Sequence, residues 1–162
     1  EPVFRMALDK GWHLAPVSSQ DNHHADWGTK NDFRTGVWAS ALTRDDILSA
    51  LAEMRTFSTN DRNATLALRA GPCWMGSILE ATERNEVDLT IEVTDADPEE
   101  GVSRIEVFTR GGERLAELPV ERSGDIRWTP TLPLPPGDYL YVRVTQNDGD
   151  HLFSAPIWRN EE

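Results

Sequence analysis

The feature that most constrains the fold is a strict alternation of apolar and polar residues in the second half of the chain. The clearest example, 87–93, reads Val-Asp-Leu-Thr-Ile-Glu-Val. Successive side chains of a β-strand point to opposite faces, so a period of two predicts a strand with one buried face. The same period recurs in three further segments, at 105–107, 116–120 and 140–144.

Turn-forming sequences separate these predicted strands. They contain Gly, Pro, Asp or Ser and lie at 97–101, 111–112, 123–124, 135–138 and 148–149. Strands about ten residues apart with such turns predict an antiparallel β-sandwich over 63–162. The residues expected to face its core are Leu89, Ile91, Leu118, Val142 and Val144. Pro119 lies inside a predicted strand and therefore indicates a sheet edge or a bulge.

The sequence Pro-Gly-Asp-Tyr-Leu-Tyr-Val-Arg-Val at 136–144 resembles the late strand of immunoglobulin-like and fibronectin-type domains. The resemblance implies a sandwich of that type.

The first 62 residues have a mixed pattern. A helix is predicted from Pro2 to Lys10, because proline suits the first turn and Gly11 follows the last. The apolar run 12–17 has the length of a buried strand. A second, amphipathic helix begins after Thr43 and is expected to pack one face through Ile47, Leu51 and Met54.

A short strand is predicted at 55–59, and the polar segment 60–63 is the best domain boundary. We therefore predict two domains, at 1–62 and 63–162.

A candidate metal site lies in the polar stretch between these elements. Asp21 and His23 are two positions apart, so in an extended backbone they point to the same side. A carboxylate and an imidazole together suit Zn, Mn or Fe better than Ca or Mg. The alternative is a solvated surface loop, because Asp-x-His is common by chance.

Arg34 is a further candidate site residue. Its planar guanidinium is suited to binding an anionic substrate. The alternative is an ion pair with Asp26 or Asp32.

Four blocks of the first 62 residues resemble the closing segment of a PHP-type metallohydrolase of the carbaryl-hydrolase-like branch. They read Trp-His-Leu-Ala-Pro-Val-Ser-Ser-Gln-Asp-Asn-His, Arg-Thr-Gly-Val-Trp-Ala, Leu-Thr-Arg and Arg-Thr-Phe-Ser-Thr, at 12–23, 34–39, 42–44 and 55–59. The family has a distorted (βα)7 barrel with two or three metals, and its last metal-binding motif, Asp-x-His, corresponds to Asp21 and His23. The resemblance therefore implies an α+β chain: the terminal βα segment of a PHP barrel, followed by the β-sandwich.

The resemblance also implies a function. Metals of this family lower the pKa of a bound water, and the hydroxide attacks a phosphoester, amide or carbamate bond. Asp21 and His23 would be ligands of Zn, Mn or Fe, and His24 and Arg34 would be the candidate catalytic residues that contact a small-molecule substrate.

The opening His-x-His motif of the family and its middle Glu and His ligands are not in this sequence. We therefore expect the C-terminal fragment of a larger enzyme, whose partner is the missing N-terminal barrel segment. The isolated chain should be inactive and hold metal weakly or not at all. An open barrel edge should expose Val3, Phe4, Val17 and Val37 and allow self-association.

Charge and composition disfavour binding to nucleic acid and a membrane-spanning segment. The net charge is −12, and 63–162 alone carries −10, which disfavours binding to nucleic acid. No apolar run has the length of a membrane span.

Two acidic turns, at 95–100 and 148–150, could give oxygen ligands to Ca²⁺, or they are solvated turns. The alternative to an enzyme is a non-enzymatic β-sandwich that binds or docks a partner.

Overall fold

The computed structural model describes residues 1–97, 100–123 and 125–162, and most of their regular structure is β-strand. The two helices are α1 Pro2–Asp9 and α2 Arg44–Ala52, and Arg110–Gly112 forms a short 3-10 turn. The strands are β1 Arg34–Val37, β2 Thr56–Thr59, β3 Thr65–Ala70, β4 Cys73–Trp74, β5 Ile78–Leu79, β6 Glu86–Thr94, β7 Val102–Phe108, β8 Arg114–Ser123, β9 Asp125–Trp128, β10 Thr131–Pro133, β11 Tyr139–Gln146, β12 His151–Ser154 and β13 Ile157–Arg159.

The strands form two sheets. The first has the order β1-β2-β12-β11-β13-β5, and β7 pairs with both β11 and β8. The second has the order β10-β6-β3-β4, with β9 paired to β6. All these pairs are antiparallel except β13 with β5. The largest apolar core contains residues of both sheets, which agrees with the predicted antiparallel β-sandwich.

Burial in the core follows the predicted period of two. Leu89, Ile91, Val142 and Val144 are buried, as predicted. Leu118 is only partly buried, because its strand β8 pairs with β7 alone among the described residues. Pro119 therefore lies in an edge strand, where a missing N–H group does not interrupt a second ladder.

Helix α1 packs on an outer face of the first sheet. Its Leu8 belongs to an aromatic cluster with Phe108, Tyr139, Tyr141 and Trp158. The Tyr139 hydroxyl donates a hydrogen bond to Asp9 Oδ1 at 2.6 Å. The predicted helix from Pro2 to Lys10 is thus confirmed to within one residue.

Two sequence expectations in the first 62 residues are wrong. The run 12–17 forms no strand, and Trp12 and Val17 are exposed. An apolar run without a period does not show whether a partner strand is available to pair with it. Here the run has none among the described residues, and the chain continues as a loop whose Ser18 forms hydrogen bonds with Thr35. Helix α2 forms as predicted, and the expected packing residues Ile47 and Met54 are half-buried, but the third, Leu51, is 41% exposed.

Strands β1 and β2 belong to the first sheet. Thr59 pairs with Leu152 and Phe57 with Ser154, so β2 lies beside β12 although the predicted boundary at 60–63 separates them in sequence. Gly36 of β1 faces Phe57, and a Cβ atom at this glycine would overlap the phenyl ring. The described residues of 1–62 do not show the predicted barrel segment, so that assignment and the division into two domains stay predictions.

The exposed apolar surface is present in part. Val3 and Val17 are exposed as predicted, while Phe4 and Val37 are half-buried. Self-association through this surface stays a prediction. No helix in the described ranges has the length and apolarity to cross a membrane.

Candidate functional site

The candidate metal ligands lie in a loop that polar contacts close at its base. The Gln20 side chain donates to the carbonyl of Asn31 and accepts from the backbone N–H of Gly28 at 2.7 Å. Ser18 and Thr35 exchange two hydrogen bonds, which attach the start of the loop to strand β1. Side-chain amides and hydroxyls, rather than an apolar core, therefore hold this loop.

Asp21 and His23 meet at the exposed tip of the loop. Asp21 Oδ1 lies 3.3 Å from His23 Nε2, and both side chains are more than four-fifths exposed. Two ligand atoms each about 2.1 Å from a tetrahedral metal ion lie roughly 3.4 Å apart, so this spacing fits two positions of one site. The convergence does not come from an extended backbone, since Asp21 has a φ of +44°. Asp tolerates this left-handed region better than most residues.

The loop supplies a pair of ligands and no more. Within the described residues, no group of three or more His, Cys, Asp or Glu side chains is placed to hold a metal. Asp26 Oδ1 accepts a hydrogen bond from Asn22 Nδ2, and Asn22 Oδ1 accepts from the backbone N–H of His24. These contacts brace the loop beside the Asp21–His23 pair.

Arg34 contacts backbone carbonyls of its own loop, and its binding to an anionic substrate stays a prediction. Its guanidinium donates to the carbonyl oxygens of Gly28, Asn31 and Phe33, at 2.8–3.0 Å. Asp32, one of the expected partners, instead forms an ion pair with Arg62. Arg34 therefore holds the second half of the loop in shape.

The structure brings the two acidic turns together. Asp97, Glu100, Asp148 and Asp150 line one cavity of about 290 Å³, and position 99 lies outside the described residues. Burial raises the pKa of Asp150, and the charge of Asp148 raises it further. The described carboxylates nevertheless do not form a metal-binding group.

Sequence reasoning missed another cavity, which Trp38 and Trp74 line together with Arg69, Glu92 and Arg127. In β3, β6 and β9 these polar residues alternate with core residues. The period of two therefore indicated that they share the outer face of the sheet. It could not reveal the cavity, because strand register and the position of Trp38 depend on long-range pairing.

No family model and no curated protein matches this chain. The resemblance to PHP-type metallohydrolases thus rests on the sequence blocks in 12–59.

Proposed function

We propose that this chain is the C-terminal part of a PHP-type metal-dependent hydrolase, in which Asp21 and His23 hold a divalent transition metal. The observation that carries the proposal is the 3.3 Å separation of Asp21 Oδ1 and His23 Nε2 at the tip of a braced loop. The resemblance of 12–59 to the family's closing segment supports the same assignment. The remaining ligands would come from a barrel segment outside this chain.

The donor atoms fit Zn, Mn or Fe. A carboxylate oxygen and an imidazole nitrogen are common ligands of these ions, and the exposed tip leaves other coordination positions accessible. A bound ion of this kind supplies Lewis acidity and lowers the pKa of a coordinated water. The substrate class implied by the resemblance is a phosphoester, an amide or a carbamate.

The other residues of the loop have supporting roles in this proposal. Arg34 donates to three carbonyls at 28–33, so it supports the second half of the loop whose first half carries Asp21 and His23. The His24 side chain is exposed next to His23, where it can contact a substrate. Gln20 closes the base of the loop and restricts the motion of both ligands.

Two ligands alone give weak binding. A stable transition-metal site normally has three or four protein ligands, and ordering a loop to bind costs conformational entropy. We therefore expect this chain to bind Zn²⁺ with a Kd above about 10 μM, an affinity weaker than about −7 kcal/mol.

A Zn²⁺ titration followed by NMR tests the half-site directly. The largest shifts should occur at Asp21 and His23 and disappear in Asp21→Ala. Asp26→Ala is the matched control, because it removes a carboxylate from the same loop and should retain the shifts. No Zn²⁺-dependent shift at Asp21 and His23 would contradict the half-site, and sub-micromolar binding would contradict the need for ligands from another segment.

Hydrolase activity tests the proposal that the pair belongs to a catalytic metal site. The protein that contains both this chain and the barrel segment should contain at least two transition-metal ions and hydrolyse p-nitrophenyl phosphate or a naphthyl carbamate. Asp21→Ala and His23→Ala should each abolish this activity while the sandwich stays folded. Full activity in either variant would exclude a catalytic role for the pair.

A second candidate function is a non-enzymatic binding module. The observation that favours it is the pairing of β2 with β12, which makes residues of the first 62 part of the sandwich sheet. Metal analysis of the longer protein separates the two functions, because a binding module would contain no stoichiometric transition metal.

A further inference from the structure

A cavity on the second sheet has the size and composition of a small-molecule site. Its volume is about 500 Å³, which lies within the range of roughly 300–1,000 Å³ typical of ligand pockets. The lining includes Thr65 and Ala67 of β3 and Thr94 of β6. Thr65 and Thr94 alternate with the core residues Leu66 and Val93, so their side chains lie on the face directed away from the sandwich core. Ala67 is buried, and Val93 also lines the cavity.

Charged groups of the cavity form a connected row across three strands. The two carboxylate oxygens of Glu92 accept from different arginines, Oε2 from Arg69 and Oε1 from Arg127. Register explains the row, since Glu92 pairs with Ala67 on one side and with Arg127 on the other. A guanidinium group has five N–H donors, so each arginine keeps donors beyond the one that it gives to Glu92.

Two tryptophans stand next to this row. The indole rings of Trp38 and Trp74 have centroids 5.5 Å apart and an interplanar angle of 38°. Trp38 Nε1 donates to the carbonyl of Leu66 at 2.8 Å, and the guanidinium carbon of Arg69 lies 5.0 Å from the ring centroid of Trp74. Both indoles are partly exposed yet fixed in orientation.

The charge of the cavity favours a neutral ligand. Arg69 and Arg127 are balanced by Glu92 and Asp125, so the formal charge of the lining is zero. The chain as a whole carries −12, which repels polyanions. A lining of zero formal charge gives a cation or an anion no net electrostatic attraction.

We propose that this cavity binds a neutral saccharide, as a mono- or disaccharide. Sugar rings present C–H groups that pack against indole surfaces, and their hydroxyl groups both donate and accept. Glu92 can accept from a hydroxyl, while Arg69 and Arg127 can donate to one. The proposal concerns the sandwich alone and holds whether or not Asp21 and His23 bind metal.

NMR titration of the chain with four neutral disaccharides, namely maltose, cellobiose, lactose and N,N′-diacetylchitobiose, tests the proposal. At least one should bind with a Kd of about 0.1–10 mM, and the largest shifts should occur at the indole N–H groups of Trp38 and Trp74. If none of the four shifts these signals at about 20 mM, the proposal is wrong.

Substitutions test whether the sugar binds in this cavity and not at other exposed tryptophans. Trp74→Ala and Arg127→Ala should each weaken binding about tenfold or more, equivalent to about 1.4 kcal/mol. Trp27→Ala is the matched control, because Trp27 is 78% exposed on the loop of Asp21 and His23, and it should leave the Kd unchanged. The Arg127 side chain is 61% exposed, so Arg127→Ala decides the outcome if Trp74→Ala unfolds.

Two results would overturn the assignment. Equal weakening by Trp27→Ala would show that the sugar binds elsewhere. Tighter binding of a glucuronate-containing disaccharide than of all four neutral ones would show that the arginines select an anion.

Discussion

The two helices in the described residues have nearly the same length, but one buries its leucine and the other leaves both of its leucines exposed. Helix α1 buries Leu8 against an aromatic cluster, and its Asp9 accepts a hydrogen bond from Tyr139. Helix α2 buries only Ala50 and leaves Leu48 and Leu51 exposed. Both helices have clear start signals in the sequence, so such signals predict that a helix forms but not which surface covers it.

The largest expected difference between the helices concerns their leucines. Leu8→Ala should lower the free energy of unfolding by about 2–4 kcal/mol, because it leaves a cavity in a packed cluster. Leu48→Ala is the matched control on α2 and should change it by less than about 0.5 kcal/mol. Urea denaturation of both variants measures the difference, and equal midpoints would show that α1 is not anchored through Leu8.

A buried carboxylate provides the second anchor of α1. Glu106 is 2% exposed and accepts hydrogen bonds from Arg143 and Arg114, and Arg143 also donates to Glu1 at 2.8 Å. Glu1 precedes the first residue of α1. The network therefore joins the sheet to the start of the helix.

Glu106→Gln should lower the free energy of unfolding by about 2–3 kcal/mol at pH 7, since it leaves arginines without their buried partner. Burial alone would raise the pKa of Glu106, but the hydrogen bonds from Arg143 and Arg114 hold that pKa below its usual value. The carboxylate therefore stabilises the fold fully above the unfolded pKa of about 4.3 and loses this effect as pH falls through the folded pKa.

The difference between wild type and Glu106→Gln should accordingly shrink below about pH 4. Urea midpoints at pH 7 and at acid pH measure it. Glu113→Gln, at an exposed position near the start of β8, is the control and should change neither midpoint. A difference that does not depend on pH would mean that Glu106 contributes through packing and not through its charge.

The period of two predicted the sandwich strands because their burial depends mostly on local alternation. Val142 and Val144 are buried where the pattern placed them. The run 12–17 failed because it has no period, so only long-range contacts could decide its structure. Asp21 and His23 lie close together, but not through the extended backbone on which the spacing argument depended, because Asp21 has a left-handed φ.

The cavity of Trp38 and Trp74 was beyond local prediction for a different reason. Pairing of β3 with β4 and with β6 brings Trp74 close to Glu92. Trp38 follows β1 of the first sheet and reaches this surface through packing between the sheets, where its Nε1 donates to the carbonyl of Leu66. The sequence therefore predicted which face of each strand is buried, but not which residues of different strands meet to form a cavity.

The smallest expected effect on stability comes from the N-cap residue of helix α2. Thr43 begins this helix by accepting a hydrogen bond from the backbone N–H of Asp46 at 3.2 Å. Thr43→Ala should cost about 1 kcal/mol of local helix stability, whereas Thr43→Ser keeps the hydroxyl and should cost only a few tenths. Because α2 buries so little surface, the loss should appear as faster hydrogen exchange of its own amides, with little change in the global urea midpoint. A global shift as large as that of Leu8→Ala would mean that α2 unfolds only together with the sandwich, and the contrast between the two helices would fail.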